Sequence, residues 1–282
     1  MKTALILEGG AMRALFSAGV LDRFMEAGLR FDGAVGVSAG ACFGCNFKSH
    51  QPGRALRYNM KYCRDPRYGS WRSWYKTGDL FDADFCYRAL PEELDPFDYK
   101  AYREDPMAFW VVCTDVHTGR AHYQCLPTAD RSEMPWMQAS ASLPLVSRPV
   151  KIGEGEYLDG GIADSIPLAW ALEQGFDRCV VVLTQPALYR KGPIPMAGAA
   201  ARALKKYPAL VESLLSRHQR YNRALSLVEA SRRQGKAFVL RPPERLAVGR
   251  CEKDPEKLRA VWQMGYTLAG EQLEQLREFL QA

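Results

Sequence analysis

The sequence has no uncharged run long enough to cross a bilayer, only four histidines, and no clustering of its eight cysteines. The one C-x-x-C pair, Cys42 and Cys45, has no second pair or histidine partner nearby, so we expect no zinc site, no other metal and no cofactor. Scattered cysteines also argue against a disulfide framework. We therefore expect a reducing, cytoplasmic location.

The N-terminus has too little apolar length for a signal peptide. Residues 3–7 are apolar, but Glu8 and Arg13 interrupt the stretch before an h-region and a cleavage site could follow. The formal net charge of +6 permits weak attraction to an anionic surface and does not distinguish lipid from nucleic acid.

Composition otherwise describes an ordinary globular protein, with 47% hydrophobic and 25% charged residues in 282. This length suits one large α/β domain or two small ones. Short apolar runs alternate with amphipathic stretches in the first 50 residues, and this alternation predicts a parallel sheet with helices on both faces. The predicted fold class is thus α/β, a three-layer sandwich with a mainly parallel central sheet. We predict strands at residues 3–7, 31–37, 109–114, 121–125, 157–161 and 179–184, with helices at 12–27, 39–46, 136–142, 167–174 and 257–280.

Three segments follow from the pattern. Residues 1–190 are predicted to form the catalytic domain, and within them residues 50–107 form an insertion of helices and loops that covers one edge of the sheet. Residues 191–282 are predicted to be a C-terminal helical extension packed on the same domain. No internal repeat and no long linker separates these parts.

The most informative motif is Gly36-Val37-Ser38-Ala39-Gly40, between a predicted strand and a predicted helix. A serine flanked by glycines in this setting is typical of a nucleophile elbow, in which a tight turn presents the hydroxyl alone. The N-terminus of the following helix favours negative charge that develops there. Ser38 is therefore the candidate nucleophile.

Two further glycine turns also follow predicted strands: Gly9-Gly10 and Asp159-Gly160-Gly161. If all three strands are parallel, their turns meet at the carboxyl edge of the sheet, where α/β proteins place their sites. A hydroxyl, a carboxylate and free backbone N–H groups would then come together. These are the groups that acyl transfer requires.

Each turn also has a structural interpretation. Ser38 could be a small residue that lets strand and helix pack closely, and Asp159-Gly160 could be an ordinary hairpin turn. Gly9-Gly10 could be a dinucleotide-binding turn, although its spacing is not G-x-G-x-x-G. A Ser–His–Asp hydrolase would need a late histidine, and His218 lies in a basic segment that favours a solvated helix face.

In order and spacing, the three turns resemble those of the patatin-like phospholipase family, over roughly residues 3–185, including the segment Gln138–Pro144 that precedes the aspartate. The resemblance implies a Ser–Asp dyad without histidine, with Ser38 as nucleophile and Asp159 as general base. It also implies an oxyanion hole from the N–H groups of Gly9, Gly10 and Ala11. The residues implied to support this site are Arg13, which would brace the loop, and Gly36, Ala39, Gly40, Gly160 and Gly161.

The chain departs from the family pattern at Ala11 and Ala14, where glycine is usual. Alanine still offers its N–H group if its φ is negative. If φ must be positive at Ala11, we expect a strained or displaced oxyanion hole.

These observations lead to one main hypothesis and two alternatives. The main hypothesis is a serine hydrolase of lipid acyl esters, of phospholipase A or lysophospholipase type, which acts through an acyl-enzyme. One alternative is a catalytically weak or inactive lipid- or acyl-binding protein of the same fold, for which Ala11 is the reason. The other is an acyltransferase or thioesterase that uses the same site.

The best candidate for peripheral membrane contact, at the inner membrane surface, is the basic segment 196–235, which interleaves leucines with arginine and lysine. The alternative is a helix packed on the sheet with a charged outer face. No stacking motif or recognised fold supports nucleic-acid binding. The oligomeric state is not predicted.

Overall fold

A computed structural model describes residues 1–281, which contain one eight-stranded mixed sheet with helices on both faces. The strands are β1 (Thr3–Leu7), β2 (Gly33–Val37), β3 (Ala108–Asp115), β4 (Ala121–Cys125), β5 (Val150–Ile152), β6 (Gly155–Asp159), β7 (Arg178–Val182) and β8 (Ala237–Leu240). The predicted α/β class and mainly parallel sheet are confirmed.

The sheet order is β5-β6-β3-β2-β1-β7-β8, and β4 pairs with β3 on its other side. Strands β3, β2, β1, β7 and β8 are mutually parallel, whereas β4, β5 and β6 pair antiparallel. Both faces of the central strands are buried. In β1, Leu5 and Leu7 join the core on one face, and Ala4 and Ile6 join the core on the other.

The prediction that all three glycine turns follow parallel strands was wrong for Asp159, because β6 runs antiparallel to β3. Strand β4 occupies one side of β3 throughout, so β2 and β6 share the other side. Val37 lies opposite Val112, and Asp159 lies opposite the next residue, Cys113. Strands β2 and β6 thus meet end to end at their C-terminal residues. The turns that follow the two strands therefore begin close together.

The helices form two layers around the sheet. They are α1 (Leu15–Glu26), α2 (Ala39–Lys48), α3 (Arg54–Tyr62), α4 (Trp71–Thr77), α5 (Tyr99–Glu104), α6 (Met134–Ala141), α7 (Leu168–Glu173), α8 (Ala197–Ala203), α9 (Pro208–Arg233), α10 (Pro255–Glu271) and α11 (Leu273–Gln281). Short 3-10 helices span Ala11–Ala14 and Gly160–Ile162, and a π-helix spans Phe85–Leu94 within the predicted insertion.

The sequence predicts a purely helical C-terminal segment, but the structure shows that this segment also contains a strand. It adds β8 to the sheet beside β7, and it ends in two helices rather than one, because the predicted helix over 257–280 breaks at Gln272. Helix α10 crosses α1 so closely that a Cβ at Gly19 or Gly265 would collide with the backbone of the other helix. The indole Nε1 of Trp262 donates to Asp22 at 2.6 Å across this contact.

Two leucines of the basic segment 196–235, both on α9, belong to the core. Leu210 and Leu214 are buried against Val116, Leu158 and Ile162, so they are not free to enter a lipid surface. Within residues 1–281, no helix combines the length and the apolar character that crossing a bilayer would require.

Candidate active site

Ser38 lies at a strained turn between β2 and α2. Its φ of 55° and ψ of −129° are unusual for a residue with a side chain. The glycines on either side are required by close approach: a Cβ at Gly36 would lie 2.5 Å from Ala41 Cα, and one at Gly40 would lie 2.6 Å from the Leu7 carbonyl oxygen. The turn therefore packs directly against the end of β1 and presents the serine hydroxyl.

The Ser38 hydroxyl donates a hydrogen bond to Asp159 Oδ2 over 2.6 Å. The two residues are 121 positions apart, and the end-to-end meeting of β2 and β6 brings them together. Both are buried, with relative exposures of 9% and 3%. The sequence predicted this pair, and the structure places it at one point beside the first loop.

Asp159 is fixed on both its side chain and its backbone. Its Oδ1 accepts from Gly161 N at 2.7 Å, and its backbone N–H donates to the Ser142 carbonyl at 2.8 Å. Burial raises the pKa of the Asp159 carboxyl, while Arg217 and the Ser38 hydroxyl oppose part of that rise. The result is a carboxyl with greater proton affinity than a solvated aspartate.

Ser140 holds the backbone of the candidate nucleophile, a role that its sequence context does not predict. Its Oγ accepts from Ser38 N at 2.9 Å and donates to the Val112 carbonyl at 2.7 Å, and its side chain is fully buried. It thereby ties the elbow to β3. The only signal in the sequence was its place in the Gln138–Pro144 segment.

The loop after β1 lies against the elbow. A Cβ at Gly9 would be 2.9 Å from Ser38 Cβ, so only glycine fits there. In residues 1–281, the backbone N–H groups of Gly9, Gly10 and Ala11 donate no hydrogen bond to another protein group. These donors are free to bind an anionic oxygen near Ser38.

The two alanines of this loop differ in backbone conformation. Ala11 has a φ of 48°, the left-handed region that favours glycine, whereas Ala14 has a φ of −67° and carries no such strain. The condition under which strain was expected at Ala11 is therefore met. Arg13, which was expected to brace the loop, lines the cavity, and its Nε is buried without a hydrogen-bond partner among residues 1–281.

Glu8 anchors the start of this loop and was not singled out in the sequence. Its buried carboxyl accepts from Thr184 N at 2.6 Å and from the Tyr221 hydroxyl at 2.7 Å. Tyr221 lies on α9, so the C-terminal segment helps hold the loop that carries the free N–H groups. Nothing local in the sequence could have revealed a contact over 213 residues.

Ser38, Asp159 and the loop open into a cavity of about 390 Å³. One wall, which we call the apolar wall, comes from α2, the insertion and α6. Its members are Cys42, Phe43, Cys45, Tyr58, Tyr68, Phe81, Cys86, Tyr87, Leu90, Pro91, Phe97, Met134, Met137 and Leu143. Residues of the insertion thus line the cavity, and they are mostly apolar or aromatic side chains, which suit a hydrocarbon chain.

A second group of residues that line the cavity is basic. It consists of Lys191, Arg217, Arg245 and Arg250, all from the C-terminal segment, and we call it the basic wall. Burial and the neighbouring Arg217 lower the pKa of Lys191 to about 8. Only Arg217 lies on a helix, and Lys191, Arg245 and Arg250 lie in loops, where no local pattern marks a cation as part of a site.

No histidine is among the residues that line the cavity, and His218 on α9 contacts the Leu215 carbonyl. Residues 1–281 contain no group of three His, Cys, Asp or Glu side chains arranged to hold a metal ion.

Comparison with known proteins agrees with the motifs. The family model for patatin-like phospholipases matches residues 5–172, and a second model, for a domain of unknown function (DUF6363), matches residues 207–281. The chain is 34% identical over 189 residues to the uncharacterized protein YjjU of Escherichia coli K12, a match that covers 66% of this chain and about half (53%) of that protein.

Among solved structures, VipD from Legionella pneumophila aligns with a TM-score of 0.49 and 14% identity, over 97% of this chain and 67% of that one. Because the phospholipase model matches more than half of the chain and its three motif turns converge in the fold, the protein belongs to the patatin-like phospholipase family.

Proposed function

We propose that the protein is a serine hydrolase of lipid acyl esters, of phospholipase A or lysophospholipase type. The observation that carries the proposal is the 2.6 Å hydrogen bond from Ser38 Oγ to Asp159 Oδ2, beside three unpaired N–H groups and an apolar wall. Nucleophile, base, oxyanion donors and a place for the acyl chain are then all assigned to residues of this chain.

In the first half-reaction, Ser38 Oγ attacks the carbonyl carbon of the ester while its proton moves to Asp159 Oδ2. The carbonyl oxygen becomes an oxyanion, which the N–H groups of Gly9, Gly10 and Ala11 bind. The C–O bond to the alcohol then breaks, and the alcohol leaves with the proton from Asp159. Water repeats the sequence on the acyl-enzyme and releases the fatty acid.

The environment of Asp159 supports its role as base. A solvated aspartate has a pKa of about 3.9 and takes a hydroxyl proton poorly. Burial raises the pKa of Asp159, which brings its proton affinity closer to what general-base catalysis needs. The Gly161 N–H on Oδ1 leaves Oδ2 directed at Ser38.

One observation favours a second candidate, a weak or inactive lipid-binding protein: the positive φ of Ala11. A strained loop can relax and move its N–H groups away from the oxyanion position. An acyltransferase or thioesterase would use the same groups, with a different acceptor or leaving group. Peripheral membrane contact, the cytoplasmic location and the assignment of 1–190 and 191–282 to one domain stay predictions.

The test is covalent labelling by an uncharged alkyl fluorophosphonate. An activated Ser38 forms an O–P bond with loss of fluoride and transfer of its proton to Asp159. We expect the wild type to be labelled and to release fatty acid from a lysophospholipid, and Ser38→Ala to do neither, with activity lower by about four to six orders of magnitude.

The matched control is Ser226→Ala, at an exposed serine on α9, which should label like the wild type. Equal labelling of Ser38→Ala would refute Ser38 as the nucleophile. A wild type that binds fatty acid but is never labelled would favour the lipid-binding candidate.

A further inference from the structure

The basic wall has no assigned part in the reaction proposed above. Lys191, Arg217, Arg245 and Arg250 all follow residue 172, where the match to the phospholipase family model ends. They therefore come from outside the phospholipase match, and Arg217, Arg245 and Arg250 lie within the match to DUF6363.

Among the described residues, these four side chains form no ion pair. In residues 1–281 none of them has a carboxylate oxygen within 4.0 Å. Arg54, which also lines the cavity, provides the contrast, because its Nε lies 3.3 Å from Asp95 Oδ1. The acidic residues that line the cavity are Glu8 and Asp159, both already engaged by hydrogen bonds.

The basic wall reaches the reacting groups from two directions. Arg217 Nε donates to the carbonyl of Gly161, whose own N–H holds Asp159. Lys191 Nζ lies 4.2 Å from the centre of the Tyr221 ring, and the Tyr221 hydroxyl holds Glu8 at the start of the oxyanion loop. An anion bound between Lys191 and Arg217 would therefore lie beside the Ser38–Asp159 pair.

Cations that crowd one wall repel one another and favour an anion of opposite charge. Guanidinium groups present several donors to phosphate oxygens, and an ammonium adds a compact charge. The apolar wall of the same cavity is available for a hydrocarbon chain. A ligand with an acyl chain at one end and a phosphate near its ester matches both walls.

We propose that the basic wall binds a phosphate group on the alcohol portion of the acyl substrate, so that the protein prefers phosphate-bearing acyl esters to neutral ones of equal chain length. This inference rests on the proposed function, since it names the substrate class of the same site. Lys191 and Arg250 are specificity residues here. Arg217 has a second role, because it also donates a hydrogen bond to the Gly161 carbonyl.

The test measures binding to Ser38→Ala protein, so that turnover does not interfere. Calorimetric titrations compare lauroyl-lysophosphatidic acid, 1-lauroylglycerol and glycerol 3-phosphate, with each lipid below its critical micelle concentration. We expect the phosphate-bearing lipid to bind at least tenfold more tightly than the neutral one, with a preference that falls as salt is added. Glycerol 3-phosphate alone should bind much more weakly than the lipid.

Two double variants of the Ser38→Ala protein distinguish an effect of the basic wall on binding from an effect of the protein's net charge. Lys191→Met with Arg250→Met should reduce the preference to about twofold or less. Arg223→Met with Arg233→Met removes the same charge from exposed positions on α9 and should retain the preference. Equal binding of the two lipids, a preference that survives the first pair of substitutions, or an equal loss in both pairs would overturn the proposal. Glycerol 3-phosphate binding as tightly as the lipid would overturn the lipid assignment.

Hydrolysis by the wild-type protein is scored separately on both lipids. Hydrolysis without a preference for the phosphate-bearing lipid overturns the basic-wall proposal alone. A binding preference without hydrolysis or fluorophosphonate labelling overturns the proposed hydrolase function alone.

Discussion

Ser38, Asp159 and the loop Gly9–Ala11 form a corner of the cavity that the basic wall also borders. The corner and the basic wall are built in opposite ways. At the corner, backbone touches backbone: Gly40 packs on the Leu7 carbonyl, and Gly9 packs on Ser38. In the basic wall, long side chains reach into the cavity, and Arg245 and Arg250 are largely exposed. The corner has no space for added atoms. The basic wall, in contrast, requires only a positive charge at the end of a flexible side chain.

This difference explains why the two regions are unequally visible in the sequence. Close backbone packing demands particular residues at fixed spacing, so it leaves motifs such as Gly36–Gly40. A cation at a cavity rim can come from many positions on a helix or loop. We therefore expect substitutions that add atoms at the corner, or that remove a reacting group there, to have large effects on rate or folding. Other substitutions should have smaller effects.

The strongest test of the corner is Asp159→Asn. The amide cannot accept the serine proton, so we expect ester hydrolysis to fall about 10³–10⁴-fold. In the wild type, activity should rise with pH as Asp159 deprotonates, and because burial raises its pKa, this rise should lie above the pH at which a solvated aspartate titrates. The measurement is a pH–rate profile.

Asp164→Asn is the matched control for that profile. Asp164 is also an aspartate whose pKa burial raises, but it bonds to the Tyr123 hydroxyl and does not line the cavity. It should keep the wild-type profile. An unchanged acid limb in Asp159→Asn, or its loss in Asp164→Asn, would remove Asp159 from the role of base.

Close packing at the corner is tested by Gly40→Ala. The new methyl group would lie 2.6 Å from the Leu7 carbonyl oxygen and 2.7 Å from that of Glu8, and neither backbone atom can move cheaply. We expect the free energy of unfolding to fall by about 2–3 kcal/mol, measured by chemical denaturation. Gly198→Ala on α8 meets no atom within 4 Å and should be neutral or slightly stabilising. Equal effects at the two glycines would contradict the comparison.

A carboxyl outside both regions provides a third case, because it is buried by helix packing and has no part in the proposed reaction. Desolvation raises the pKa of Asp22, at the contact of α1 with α10, to about 6. A folded-state pKa above the unfolded value means that its contribution to stability is complete below about pH 4 and is lost as pH rises through about 6.

Asp22→Asn should therefore stabilise the fold at pH 7.5 by about 1–2 kcal/mol and have little effect at pH 4. The amide oxygen can still accept from Trp262 Nε1. Hydrolysis should not change, since Asp22 does not line the cavity. Denaturation curves at the two pH values provide the measurement, and a larger stabilisation at pH 4 would reverse the sign and refute this assignment.

The smallest expected effect concerns the two alanines of the oxyanion loop. Ala11→Gly relieves a positive φ and should stabilise the protein by about 0.5–1 kcal/mol. Ala14→Gly, at a φ of −67°, should destabilise it by a similar amount. Opposite signs in thermal unfolding would locate the strain at Ala11, and equal signs would argue against it.

The fold class and the position of Ser38 beside Asp159 followed from the sequence, because strand–turn–helix patterns and glycine spacing are local. The strand pairing that brings these two residues together did not follow from the sequence. Strand β6 was expected to be parallel, and its antiparallel pairing with β3 in line with β2 is a long-range arrangement without a local signal. Strand β8 was missed for a related reason, since Ala237–Leu240 is too short to stand out from its surroundings.

The sequence reveals the turns of the corner, because close backbone packing requires glycine at Gly9, Gly36, Gly40 and Gly160. The three-dimensional fold is needed to see that Ser140 and Glu8 hold that corner and that four basic side chains line the same cavity, namely Lys191, Arg217, Arg245 and Arg250. The physical reason is that steric demands act between neighbours in the chain and leave a pattern, whereas charges and hydrogen bonds act across space between residues that share no pattern.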